Sequence, residues 1–157
     1  MSFLIYCIFV LGIVVADQVT KLLVLQNIPL YADIDAIPGL FHLTYVQNTG
    51  AAFSTMDGMR WLFVAVFAVI TVAVLFVYFK KPMPFRTFER WCIAAIYGGG
   101  LGNIIDRVRL GFVVDMIEVD FMKFPVFNVA DCFITCGCIA LIISLFFNKN
   151  FWKEEQK

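Results

Sequence analysis

Four long apolar segments constrain this chain more than any other feature of its sequence. They run over residues 3–25, 61–79, 91–105 and 130–147. Each is near the roughly 20 residues that an α-helix needs to cross a bilayer. In lipid only helices and closed barrels satisfy their own backbone, and these runs lack the alternation of barrel strands. The pattern predicts a mainly α, polytopic membrane protein with four transmembrane helices, over about 3–25, 61–79, 91–108 and 130–147.

The composition indicates lipid rather than water as the main surroundings. Of the 157 residues, 62% are hydrophobic and 15% are charged, whereas a soluble domain is about half apolar and a quarter charged. The net charge is zero and no basic run is dense, so we expect no nucleic-acid partner. The length suits one domain over residues 1–157, expected to be a monomer in contact with membrane lipid.

Positive charges give the predicted orientation. They gather between the second and third segments and after the fourth, at Lys80, Lys81, Arg86, Arg90, Lys149, Lys153 and Lys157. The positive-inside rule makes both regions cytoplasmic, and with an even number of spans both termini are cytoplasmic too. Because no Lys or Arg precedes the first segment, we interpret it as an uncleaved span rather than as a signal peptide.

The two outer connections carry strand-like patterns. The run L-F-H-L-T-Y-V at 40–46 follows the turn signal Pro38-Gly39, and the residues from 112 to 119 follow Gly111. β-branched and aromatic residues after a turn signal favour strands. We predict a small extracytoplasmic β element over about 37–53 and 111–120.

The cysteines suggest a metal or redox site, but packing explains them better. There are five, and no two form a C-x-x-C pair, while His42 is the only histidine; the cysteines are Cys7, Cys92, Cys132, Cys136 and Cys138. Cysteine also behaves as a small buried hydrophobe. We therefore predict no metal and no cofactor.

The polar residues near the outer ends of the predicted spans are the site candidates, since ionisable groups are costly in lipid. They are Asp17, Lys21, Asn103, Asp106, Arg107, Asp115, Asn128 and Asp131. Several have structural alternatives. Asp17 and Lys21, one helical turn apart, are equally well explained as an orienting ion pair. Asn128 has the position of a helix cap, and Asp106 beside Arg107 that of an interfacial pair.

Asp115 and Asp131 are harder to explain structurally, because apolar residues surround both. Like charges held close together cannot both ionise, so such a pair would share one proton. The ionised member can take a proton from water, and the protonated member can polarise a carbonyl and protonate a leaving amine. The residues alone make this proteolytic dyad one hypothesis among several.

Five motifs carry a resemblance to a known family, in order along nearly the whole chain. They are D-Q-V-T-K at 17–21, Q-N-T-G-A-A-F at 47–53, G-G-L-G-N-I-I-D-R at 99–107, G-F-V-V-D at 111–115 and F-N-V-A-D at 127–131. Together they resemble the bacterial lipoprotein signal peptidases (signal peptidase II), an aspartyl peptidase family.

The resemblance implies a role for each candidate. Asp115 and Asp131 fall at the catalytic dyad, and Asn48 and Arg107 at positions that hold the substrate backbone. Asn103 and Asn128 fall at support positions beside the dyad, and Asp17 with Lys21 at a structural polar pair. The implied substrate is a diacylglyceryl-modified prolipoprotein, cleaved before its lipidated cysteine. The implied location is the bacterial inner (cytoplasmic) membrane, with the active site toward its outer face.

Two other classes stay open on the residues alone. A small transporter or channel would relay protons through aspartates, but it predicts polar residues throughout the membrane depth, and the cytoplasmic halves read as almost purely apolar. A quinone-linked thiol oxidoreductase would need a reactive cysteine pair on the outer side. Cys132 has the right position but no obvious outer partner.

Overall fold

Four helices and a three-stranded sheet make up the fold. The computed structural model describes residues 3–50, 58–80 and 85–148. In chain order the elements are α1 (Phe3–Asn27), β1 (Ile34–Ile37), β2 (Phe41–Asn48), α2 (Arg60–Lys80), α3 (Thr87–Arg109), β3 (Val113–Val119) and α4 (Val129–Phe147). The predicted helices are confirmed as helices. The predicted β element corresponds to β2 and β3 with β1 added, and its residues 51–53 lie outside the described residues.

Length and apolar character differ among the four helices. Within the described ranges, α1 and α4 are long and apolar enough to cross a membrane, and α2 has a shorter apolar stretch over Arg60–Phe76. α3 is interrupted by glycines and by polar residues at both ends. Large apolar side chains stay exposed on the bundle, with Val69 at 69% and Phe146 at 75%. Two spans are therefore supported by length and composition, and the crossing of all four helices stays a prediction.

α3 occupies the centre of the bundle because its glycines let three helices approach closely. Gly98 contacts Ile13 of α1, Gly99 lies against the backbone of Ala130 in α4, and Gly100 faces Phe67 of α2. A side chain at Gly99 or Gly100 would collide with its neighbour, and one at Gly98 would make a tight contact with Ile13. Small residues at helix contacts allow this close packing in membranes. The run G-G-G-L-G at 98–102 by itself predicts either such packing or a flexible entry to the helix, and these contacts confirm the packing.

The sheet covers one end of the bundle. Its strand order is β1-β2-β3, with antiparallel pairing throughout. A small core of Val24, Tyr45, Val114 and Met116 joins α1 to the sheet. The register sets Val46 opposite Asp115, so β2 and β3 fix the position of one candidate catalytic residue. Gly111, with φ of 90°, makes the turn from α3 into β3 in a conformation that favours glycine.

Candidate active site

Asp115 and Asp131 line one cavity of about 510 Å³. Asp115 lies on β3 and is 2% exposed, whereas Asp131 lies in the first turn of α4. The other lining residues come from β2, α3, β3, α4 and the segment before α4: Asn48, Asn103, Arg107, Val113, Phe124, Pro125, Val126, Phe127, Cys132, Ile134, Thr135 and Cys136. The wall is polar around the aspartates, and along α4 it consists of Ile134, Thr135 and two cysteines.

Asn128 joins the two aspartates. Its Nδ2 donates to Asp115 Oδ1 at 2.6 Å, and its backbone N–H donates to Asp131 Oδ2 at 3.2 Å. In return, the backbone N–H of Asp131 donates to Asn128 Oδ1 at 3.0 Å. The predicted helix cap is therefore confirmed, since this reciprocal pattern is a capping box. The side chain of Asn128 also binds the carboxylate of Asp115. One residue therefore both caps α4 and supports the two aspartates.

Asn103 supports Asp131 from α3. Its Nδ2 donates to Asp131 Oδ1 at 2.8 Å. Its Oδ1 accepts from Lys21 Nζ at 2.9 Å and from Asn128 Nδ2 at 3.1 Å. Asp131 thus accepts hydrogen bonds on both oxygens, at a helix N-terminus that favours negative charge.

Asn48 and Arg107 lie on the sheet side of the cavity. Asn48 Nδ2 donates to Asp115 Oδ2 at 2.9 Å. Arg107 Nη2 donates to the carbonyl of Gly50 at 2.7 Å, and its guanidinium lies 4.5 Å from the ring centre of Phe63. Arg107 Nε is buried without a hydrogen-bond partner among the described residues. A donor in this position could bind a carbonyl of a ligand in the cavity.

Asp17, Lys21 and Asp106 form a buried ionic cluster. Lys21 Nζ lies 2.9 Å from a carboxylate oxygen of Asp17 and of Asp106, and all three are at most 2% exposed. Asp17 Oδ1 accepts from the N–H of Ala130 at 3.0 Å, and Asp106 Oδ2 from the N–H of Val114 at 3.1 Å. Those two residues directly precede Asp131 and Asp115. The orienting ion-pair interpretation is confirmed for Asp17 and Lys21, whereas Asp106 pairs with Lys21 rather than with Arg107.

Burial changes the acidity of Asp115. It raises the pKa of that carboxyl from its ordinary value of 3.8 to about 6, and the negative charge of Asp131 acts in the same direction. Hydrogen bonds from Asn48 and Asn128 stabilise the ionised form and oppose the rise. A carboxyl that titrates near neutral pH beside a hydrogen-bonded carboxylate is suited to acid–base chemistry.

The sequence interpretation missed a polar cluster at the other end of the bundle. Glu89 of α3 is fully buried and accepts hydrogen bonds from Ser144 and Asn148 at 2.9–3.1 Å. It also caps α3 by accepting from the N–H of Arg86 at 2.8 Å. The expectation that this half is almost purely apolar was therefore wrong. A glutamate at the start of an otherwise apolar segment was the available signal, since an ionisable residue in a span is costly.

The cysteines are free, and the packing explanation holds for one of them. Cys92 is buried, whereas Cys7, Cys132 and Cys136 are exposed and Cys138 is intermediate. Lipid can cover such apolar thiols, and Cys132 and Cys136 line the cavity. Within the described ranges, no group of three or more His, Cys, Asp or Glu side chains could hold a metal ion.

Comparison with known proteins agrees with this fold. A family model described as signal peptidase (SPase) II matches residues 9–147. The lipoprotein signal peptidase of Streptococcus thermophilus is 43% identical over 93% of this chain and 91% of its own length. That of Streptococcus agalactiae is 41% identical over 91% and 88% of the two chains.

Two solved structures, each described as a bacterial membrane enzyme, have similar folds. One aligns with a TM-score of 0.85 and 30% identity over 93% of this chain and 90% of its own. The other has a TM-score of 0.81 and 31% identity over 91% and 93%.

The helical bundle has apolar outer surfaces and a cavity lined by two carboxylates. Together with the similar solved structures, these features define a membrane enzyme. The particular family follows from the matched residues and relatives. The chain belongs to the signal peptidase II family, peptidases that cleave signal peptides from prolipoproteins.

Proposed function

We propose that the chain is an intramembrane aspartyl endopeptidase that cleaves diacylglyceryl-modified prolipoproteins before the lipidated cysteine. The observation that carries the proposal is the Asn128 bridge, which holds Asp115 and Asp131 in one cavity. Transport and thiol redox chemistry are set aside, because the family is one of peptidases.

The two carboxylates divide the work by their surroundings. Asp131 accepts hydrogen bonds on both oxygens at a helix N-terminus and is the base. Asp115, whose pKa is raised to about 6, is the acid. Asp131 takes a proton from water as the water oxygen bonds to the scissile carbonyl carbon. Asp115 protonates the carbonyl oxygen, and the C–N bond then breaks as the amine takes a proton from the pair.

The cavity fits a substrate that arrives from the bilayer. Its α4 wall includes Ile134 and Thr135 and runs away from the aspartates along the helix, which suits an apolar signal helix. Arg107 Nε, buried and unpartnered among the described residues, would donate to a substrate carbonyl. Asn48 would hold Asp115 and the substrate backbone from the other side.

The placement of the enzyme is part of the proposal. The chain would cross the bacterial inner membrane four times, as a monomer, with both termini in the cytoplasm. This topology would put the sheet and the aspartates toward the outer face of the membrane. The positive residues between α2 and α3 support this orientation. Membrane lipid would then surround the exposed apolar faces of the helices.

The direct test compares lipidated and unlipidated precursor with the purified, reconstituted chain, scored by product mass. We expect cleavage of the lipidated form only, at the peptide bond directly before the cysteine. Asp115→Asn and Asp131→Asn should each reduce the rate about 10²- to 10⁴-fold. Asp35→Asn, an exposed carboxylate on β1, is the matched control and should retain activity. Normal cleavage by either dyad variant would contradict the proposal.

A further inference from the structure

A second cavity, of about 540 Å³, lies between α1, α2 and α3. It shares no lining residue with the cavity of Asp115 and Asp131. We refer to it as the α1–α2–α3 groove. On α3 its lining runs from Arg90 to Ile105, which is about 22 Å of helix. One leaflet of a bilayer contributes about half of a hydrocarbon core of roughly 30 Å, so the groove is long enough for an acyl chain.

Most polar groups in the groove lie at one end. Tyr6 lies near the start of α1, Arg90 near the start of α3 and Tyr78 near the end of α2, all at the end away from the sheet. Farther along, the hydroxyls of Thr71 and Tyr97 lie 3.1 Å apart and bond to each other. Aliphatic side chains line most of the remainder. The lining is therefore complementary to a lipid molecule, which has a polar head at one end and an acyl chain beyond it.

Two observations at the polar end point to an anionic ligand that also accepts a hydrogen bond. Of the described residues that line the groove, only Arg90 is charged. The hydroxyl of Tyr6, a residue only 8% exposed, is buried without a hydrogen-bond partner in the described part of the chain. Buried hydroxyls normally have a partner. Arg86, which is exposed and lies one helical turn before Arg90, adds a second cation at this end, and basic residues at a membrane surface attract anionic lipid headgroups.

We propose that the α1–α2–α3 groove binds one anionic glycerophospholipid from the leaflet at its Arg90 end. The phosphate pairs with Arg90, an ester oxygen accepts from the Tyr6 hydroxyl, and an acyl chain runs along the aliphatic lining toward Ile105. Bound there, the lipid fills the space between α1 and α2, which meet through the rings of Phe3 and Tyr78 at 4.8 Å. The proposal does not depend on the peptidase chemistry.

Photo-crosslinking tests this site directly. The full chain is placed in phosphatidylcholine nanodiscs that contain a phosphatidylglycerol with a diazirine in its acyl chain, and the labelled peptides are identified by mass. We expect labels concentrated on the groove-lining residues of α1 and α3. Arg90→Gln should reduce this labelling about tenfold, through loss of a charge-assisted contact. Arg109→Gln, an exposed cation at the other end of α3, should leave it unchanged.

A steric pair on α1 provides the second arm. Val14 lines the groove, whereas its neighbour Val15 is 51% exposed and does not. Val14→Trp should abolish groove labelling and Val15→Trp should preserve it. If circular dichroism shows that Arg90→Gln does not fold, the comparison of Val14→Trp with Val15→Trp tests the proposal instead. Labelling spread evenly over α4, labelling insensitive to Arg90→Gln and Val14→Trp, or equal labelling by a phosphatidylcholine probe would each overturn the proposal.

Discussion

Asp115 has surroundings very different from those of an ordinary, exposed aspartate. It is 2% exposed, and each of its oxygens accepts a hydrogen bond from an asparagine side chain. Its pKa is raised to about 6 because burial outweighs those two hydrogen bonds. Since the folded-state pKa lies above the ordinary 3.8, protonation of Asp115 stabilises the fold. That contribution is complete below about pH 3.8 and is lost as the pH rises through about 6.

The acidity of Asp115 predicts the pH dependence of cleavage. If Asp115 must be protonated, kcat/KM should fall as the pH rises through about 6, because kcat/KM reports groups of the free enzyme. Asn48→Ala removes a hydrogen bond to the ionised form, which raises the pKa of Asp115 and should move the falling limb to higher pH. Gln47→Ala, which loses a bond to the Tyr45 hydroxyl instead, should leave the limb in place. A limb that moves to lower pH in Asn48→Ala would contradict the assignment.

Sequence motifs located the candidate residues but not the contacts among them. Asp115 and Asp131 were predicted because carboxylates amid apolar residues are unusual, and the family resemblance selected them. The backbone N–H groups of Ala130 and Val114, which bond to Asp17 and Asp106, leave no trace in a local pattern. Such pairings depend on how α1, α3 and the sheet come together, so they required the structure.

At the scale of elements, the apolar runs predicted the helices and the β-branched runs predicted β2 and β3. β1 was missed because Ile34–Ile37 is only four residues long and exposed throughout, so it has no buried face to create a pattern. The packing of α3 was predicted from its glycines, since residues without side chains are costly in a helix unless something lies close.

The glycines of α3 give a prediction for helix packing. A methyl group at Gly99 would lie 2.8 Å from Ile134 Cγ1 and closer still to the backbone carbonyl of Ala130. We expect Gly99→Ala to lower the free energy of unfolding by about 1–3 kcal/mol and to reduce cleavage, because α4 carries Asp131. Thermal unfolding in detergent and the cleavage assay measure both effects.

Gly12 provides the matched control for Gly99. It is also helical, but nothing lies within 4 Å of an added methyl group. Gly12→Ala should therefore be neutral or stabilising by up to about 1 kcal/mol through helix propensity. If the two substitutions changed the free energy of unfolding equally, the close helix contact at Gly99 would not explain the effect of Gly99→Ala.

At the scale of the whole molecule, Lys21 is the shared cation of two carboxylates that hold different parts of the fold. Replacing it with methionine leaves Asp17 and Asp106 buried without their cation. We expect Lys21→Met to cost about 3–5 kcal/mol of unfolding free energy and to reduce cleavage. Adding Asp17→Asn to Lys21→Met should recover part of the loss, as measured by unfolding temperature. Greater loss in the double variant would contradict the charge argument.

The chemistry of the whole molecule predicts independence from metals and thiols. Two carboxylates supply both the base and the acid, so cleavage should be unchanged in a chelator. It should also survive replacement of all five cysteines by alanine or serine, because Cys132 and Cys136 contribute only to the cavity wall. Retained thermal stability of the cysteine-free chain is the control. Loss of activity in the chelator alone would indicate a metal hydrolase.

The ionic cluster of Asp17, Lys21 and Asp106 has a consequence for how the family can evolve. None of the described residues of α1 lines the cavity of the two aspartates. Asp17 of α1 nevertheless holds Ala130, the residue before Asp131. Lys21 of α1 pairs with Asp106, which holds the residue before Asp115. Loss of Lys21 leaves two buried carboxylates without a cation. Loss of Asp17 or Asp106 leaves the backbone N–H of Ala130 or Val114 without its acceptor. Related chains should therefore keep all three residues or exchange them jointly, so that this remote trio is inherited as a unit with the active site.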